Sequence, residues 1–115
     1  MDINPSNMQS SAREASSLLK ALANENRLMI LCQLIGGELT VGELTARIGL
    51  SQSAMSQHLA VLRRDTLVET RREAQTIYYT MADQRVARVI KLLYDIYCST
   101  KAAPCGPQEG ITPDA

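Results

Sequence analysis

The sequence predicts a mainly α-helical fold with one small β-hairpin, on three observations. Apolar residues recur at three- and four-residue spacing through most of residues 11–64 and again through 86–97. Between those stretches Ile77, Tyr79 and Met81 alternate with Thr76, Tyr78 and Thr80, the period of a strand. Two of the helical runs are short and meet at Gly49, which breaks the pattern.

Each element follows from local chemistry. Residues 1–10 are polar, carry Pro5 and read as a loose tail. Ala15, Leu18, Leu19 and Leu22 give a first helix over 11–22. Leu28, Leu31, Cys32 and Ile35 give a second over 25–35, stopped by Gly36 and Gly37. Thr40 and Glu43 form a T-x-x-E capping box that opens a third helix, with Leu44 and Ile48 as its apolar face and Gly49 at its end. Ser51 is an N-cap for a fourth helix to about residue 64, whose buried stripe is Met55, Leu59 and Leu62. The run "LVETRREAQTIYYTM" holds two β-rich stretches around the polar "RREAQ", a hairpin. A last helix starts near Ala82 and Asp83 and runs to about Cys98. Residues 99–115, rich in Pro and Gly, read as a second tail, which leaves 11–98 as the single domain. The order is that of a winged helix-turn-helix.

Composition narrows the function. The chain has 115 residues, no Trp or Phe, and 12 basic against 12 acidic residues. A nucleic-acid reading therefore needs a local basic patch. No basic-then-apolar leader and no long apolar run is present, so a cytoplasmic protein without a membrane partner is expected. The three cysteines are odd in number and lack C-x-x-C spacing, which argues against a disulfide scaffold or structural zinc. No metal, cofactor or catalytic residue is expected, and no enzymatic activity.

The fourth helix carries the most informative side chains. Its polar positions are Ser51, Gln52, Ser53, Ser56, Gln57 and His58. These groups both donate to and accept from base edges, and a helix-turn-helix presents the N-terminal half of this helix to the major groove. Arg63, Arg64, Arg71 and Arg72 face only Asp65 and Glu69 between residues 51 and 72, a local positive excess in a neutral chain. Arg71, Arg72 and Gln75 belong to the polar tip of the hairpin, where a wing reaches a minor groove or a phosphate. The alternative is a solvated polar face beside a solubilising charged turn. The last helix has two adjacent apolar stripes, Val86, Ile90, Leu93 and Tyr97 beside Val89, Leu92 and Ile96. One small core cannot cover both, so the helix is expected to pack on a second copy.

"LLKALANENRLMIL", "GELTVGELTARIGLSQSAMSQHLAVLRRDTLVETRREAQTIYYTM" and the last helix together resemble the ArsR/SmtB winged-helix repressors over about residues 12–98. The recognition helix and wing are most similar to the HlyU/SqrR/BigR-like redox- and persulfide-sensing subgroup. The resemblance implies a homodimer through the first and last helices, placing Leu18, Leu19, Val86, Val89, Ile90, Leu93, Tyr94 and Tyr97 at the interface. It implies double-stranded operator DNA as partner, and competition with nucleoid silencing proteins in the HlyU branch. Metal sites of the family need cysteines where this chain has Val41 and Gly42, or histidines that its last helix lacks. One departure is Thr66, where the family has a Gly suited to a left-handed turn.

The resemblance also gives Cys32 and Cys98 a role: a pair that oxidant or reactive sulfur bridges, releasing DNA. Without it, Cys32 is a small buried apolar residue, Cys98 a frayed helix-end thiol, and Cys105 incidental. Four readings stand open: a thiol-controlled DNA-binding regulator, a regulator or anti-silencer without redox input, a metal-sensing repressor, or a winged-helix protein-interaction module.

Overall fold

A computed structural model describes residues 2–98, so the expected second tail and Cys105 lie outside the described residues. The elements run α1 Pro5–Leu22, α2 Glu25–Leu34, β1 Leu39–Thr40, α3 Val41–Ile48, α4 Gln52–Arg64, β2 Val68–Glu73, β3 Thr76–Met81 and α5 Gln84–Tyr97. Residues through Asp83 form one compact unit, and α5 belongs to a second.

The expected loose tail is mostly helix. Asn4 caps α1, its side chain accepting from Ser6 N at 2.9 Å, and Pro5 takes the first helical position. Proline is favoured there because no partner exists for the N–H it lacks. Pro5, expected within a loose tail, starts the helix instead. At the other end, the Arg27 guanidinium donates through Nε to the Ala21 carbonyl at 2.8 Å, occupying one of the orphan acceptors of α1. Asn24 caps α2, accepting from Arg27 N at 3.0 Å.

The buried line of α2 is not the expected one. Ile30, Leu31 and Leu34 are buried, Leu28 is half-buried, and Cys32 and Ile35 are exposed. The run "LMIL" is apolar at every position, so its spacing leaves the phase of the stripe open.

The helix-turn-helix forms as local chemistry dictates. The Thr40 Oγ1 accepts from Glu43 N at 3.1 Å, while the Glu43 carboxylate accepts from Thr40 N at 2.9 Å. Gly49 ends α3 at φ 90°, a left-handed conformation that glycine adopts without strain. Ser51 Oγ then accepts from Ala54 N at 3.1 Å to open α4. Met55, Leu59 and Leu62 are at most 1% exposed and fix which face of α4 turns inward.

The sheet is antiparallel in the order β1-β3-β2. Val68 pairs with Met81, Arg71 with Tyr78 and Glu73 with Thr76, leaving Ala74 and Gln75 as the loop. The two-residue β1, unforeseen from sequence, pairs Leu39 with Tyr79 and Thr40 with Tyr78. Its partner β3 is far along the chain, so nothing local announces it. The wing starts from a strained turn. Thr66 sits at φ 59° after α4, its N–H donating to Arg63 O and that of Leu67 to Leu62 O. That pair of bonds is a Schellman motif, with buried Leu67 and Leu62 supplying its apolar contact.

Within α5, Val86 is fully buried and Ile90 is 7% exposed. Both, expected at a dimer interface, are buried within the described chain. Val89 and Leu93 are half-buried. Leu92, Tyr94, Ile96 and Tyr97 are each more than half exposed.

Candidate nucleic-acid interface

The site is built on α4. At about 100° per residue, Gln52, Ser53, Ser56, Gln57, Ala60, Arg63 and Arg64 fall within one arc of roughly 140°. All seven are exposed. The arc is continuous because Met55, Leu59 and Leu62 hold the other side of the helix inward. Ala60 was not singled out from the sequence. It lies between the amides and the arginines, and its small side chain lets the helix approach a base edge or a thymine methyl closely. The signal was available: an alanine at the centre of a polar face.

His58 does not belong to this arc. It lies about 100° beyond Gln57 and is half-buried, against the expectation of an exposed base-reading imidazole. Ser51 is exposed, but its oxygen is committed to capping the helix, leaving its O–H to donate outward. Arg63 and Arg64 sit about 15 Å along the axis from Ser53, given 1.5 Å per residue. They therefore lie too far along the axis to share one base step with Ser53. Arg64 Nε also lies 3.4 Å from Asp65 Oδ1, a well-solvated pair.

The wing divides two adjacent arginines. Arg71 is not at the tip but within β2, opposite Tyr78. Its guanidinium donates to both Glu38 oxygens, at 2.8 Å from Nε and 2.5 Å from Nη2, and to Glu73 at 2.9 Å. It lies 4.4 Å from the centre of the Tyr78 ring. The hydrogen bond from Arg71 holds the Glu38 carboxyl below the usual carboxylate range. The Glu38 and Glu73 hydrogen bonds push the Arg71 guanidinium further above its ordinary value. Arg72, on the opposite face of the strand beside Ile77, is exposed and makes no ion pair among the described residues. Gln75 is exposed in the loop. Sequence reasoning grouped Arg71 with Arg72; the structure separates them.

Cys32 is exposed on α2, and Cys98 is half-buried just past α5, its N–H donating to Tyr94 O at 2.7 Å. Among the described residues, no group of three or more His, Cys, Asp and Glu is arranged to hold a metal. Among them too, no helix is long and apolar enough to cross a membrane.

Residues 24–70 match the model of the bacterial regulatory protein, arsR family. Over 96 residues the chain is 55% identical to the transcriptional activator HlyU of Vibrio cholerae, covering 84% of this chain and 89% of that one. A solved structure of reduced HlyU from Vibrio cholerae N16961 is similar with TM-score 0.75 and 56% identity, over 80% of this chain and 97% of that one. The crystal structure of the transcriptional repressor BigR from Xylella fastidiosa is similar with TM-score 0.81 and 41% identity, over 84% of this chain and 98% of that one.

Proposed function

The chain belongs to the ArsR family of bacterial regulatory proteins, and on that premise we propose that it binds a two-fold operator as a homodimer through α4 and the wing. It is a DNA-binding transcriptional regulator, and its relatives are regulators rather than enzymes. The observation that carries the finer reading is the exposed arc of α4, short hydroxyls and amides followed by two arginines. Gln52, Ser53, Ser56 and Gln57 read base edges; Ser51 donates to a phosphate at the helix start. Arg63, Arg64, Arg72 and Gln75 hold the backbone on either side. His58, half-buried and outside the exposed arc, is left out of the base-reading set.

Two copies are needed because the local positive excess is small. The exposed Leu92, Tyr94, Ile96 and Tyr97 of α5, with Val89 and Leu93 on the same helix, supply apolar surface for a partner copy, and Leu18 and Leu19 of α1 are the residues that the first helix would contribute. The recognition helices then sit about 34–36 Å apart, one turn of DNA. Occupancy of such a site also displaces a nucleoid silencing protein, the route by which binding raises transcription.

The thiols provide the control. The exposed Cys32 attacks an inorganic polysulfide, forming a persulfide as the remaining sulfur chain departs. Cys98 attacks the inner sulfur of that persulfide, hydrosulfide leaves, and a Cys32–Cys98 disulfide remains. Two electrons pass to the polysulfide sulfur, and the bridged form disfavours the dimer geometry that fits DNA. This reading rests on the resemblance to the HlyU-type subgroup.

The test uses a duplex selected by the protein from a random pool, with anisotropy read between 50 and 200 mM salt. Binding that falls steeply with salt is expected, with the slope reduced by about one for each of Arg63→Gln, Arg64→Gln and Arg72→Gln. Salt-independent binding would refute the DNA interface. Polysulfide is expected to release wild type but neither Cys32→Ser nor Cys98→Ser. Release of both variants as readily as wild type would end the thiol reading.

A further inference from the structure

We propose that Glu38, Arg71 and Glu73 form a clamp that sets the position of the wing, so that Arg71 positions Arg72 and Gln75 instead of touching DNA itself. The inference rests on the DNA-binding reading above and names a positioning residue within it. Glu38 lies just before β1, on the far side of the three-stranded sheet from β2. Arg71 reaches across β3 to grip both of its oxygens, at 2.8 and 2.5 Å. Glu73 engages the third nitrogen, Nη1, at 2.9 Å. The guanidinium also lies over the Tyr78 ring, on the strand between them. All three guanidinium nitrogens are thereby engaged, and a phosphate would have to displace a two-pronged carboxylate to take the edge formed by Nε and Nη2.

The clamp sits where the wing needs holding. The hairpin beyond Arg71 is only Arg72 to Ile77, with a two-residue loop and no β1 alongside, since β1 pairs with Tyr78 and Tyr79. A two-stranded ribbon alone is marginally ordered in water. Fastening β2 to the segment before β1 ties all three strands together at the last point where three strands exist. An isolated exposed ion pair does little, but a two-pronged arginine in a network of two carboxylates and a ring is the geometry in which such pairs count.

The experiment compares Glu38→Gln, Arg71→Lys and Arg72→Gln with wild type on the selected duplex, and on the protein alone by amide hydrogen exchange. Without DNA, Glu38→Gln and Arg71→Lys accelerate exchange in residues 70–78 while α3 and α4 exchange as before. On DNA, both weaken binding roughly three- to fivefold, the scale of an exposed networked pair, with the salt slope unchanged. Arg72→Gln instead lowers the slope by about one, because one phosphate is no longer neutralised. Arg71→Lys keeps the charge but not the two-pronged grip, so wild-type binding by it would overturn the clamp. So would tighter binding with a steeper slope by Glu38→Gln, which would make Arg71 a latent phosphate ligand. Unchanged wing exchange in both variants overturns the clamp whether or not a duplex is found. Absence of any salt-dependent duplex binding by wild type would instead overturn the DNA interface.

Discussion

Replacing Thr66 with Gly tests whether the base of the wing stores strain. Thr66 holds φ 59° with a β-branched side chain, one residue before buried Leu67. The left-handed conformation costs a residue with a Cβ about 1–2 kcal/mol, and branching places Thr at the upper end. Against this stands a freer unfolded chain for glycine, about 0.4–1 kcal/mol. The Thr66 hydroxyl also donates to Asp65 O at 2.6 Å, but on the surface, where water replaces it readily. The balance favours Thr66→Gly by about 0.5–1 kcal/mol. For a domain of this size that raises Tm by roughly 2–8 °C, from about 4–8 °C per kcal/mol. Urea unfolding followed by helical circular dichroism, at one fixed protein concentration, gives the comparison. The midpoint should rise with an unchanged slope, and Thr66→Asn should fall between the two because Asn tolerates this conformation better than Thr. A Thr66→Gly variant no more stable than wild type would show that the turn holds Thr66 without strain, and the reasoning would fail.

Other perturbations isolate other elements. Ala74 has φ 57° at the first of two hairpin-loop residues, a position where glycine is usual, so Ala74→Gly should be neutral to stabilising by up to about 0.5 kcal/mol in the same urea assay; a clear drop in midpoint would contradict this. Thr40→Ala removes one half of the α3 capping box and should cost about 1 kcal/mol, measured as a lowered urea midpoint. Arg27→Met keeps the apolar stem but leaves the Ala21 carbonyl without its 2.8 Å donor. It should speed amide exchange at the C-terminal turn of α1 without affecting α4. The Glu38 carboxyl, held low by Arg71, is expected to titrate below the usual value of about 4.3 for glutamate. Because its folded value is depressed, the clamp is fully present above that ordinary value and is lost as pH falls through the lower one. A carboxyl NMR titration with an ordinary midpoint would count against the pairing.

The sequence disclosed those features whose causes are local. The capping box at Thr40, the break at Gly49, the Ser51 cap and the inward stripe of α4 each depend on residues within a few positions of one another. The same locality misled at Pro5, where a residue that ends helices from within begins one from the first turn. In α2, continuous apolarity erased the phase, and only packing chose Ile30, Leu31 and Leu34 over Cys32 and Ile35. Arg71 and Arg72 show where local reading stops. Period two guarantees that neighbours in a strand face opposite ways, so the sequence already implied different surroundings for them. What it did not contain was which face Glu38 would meet, because Glu38 is 33 residues away and reaches Arg71 only once β3 lies between β1 and β2. The proposed division of labour in the wing, one arginine holding and the next touching DNA, is therefore a property of the sheet order. A change that shifted β2 by one residue against β3 would exchange the two roles without altering a single side chain.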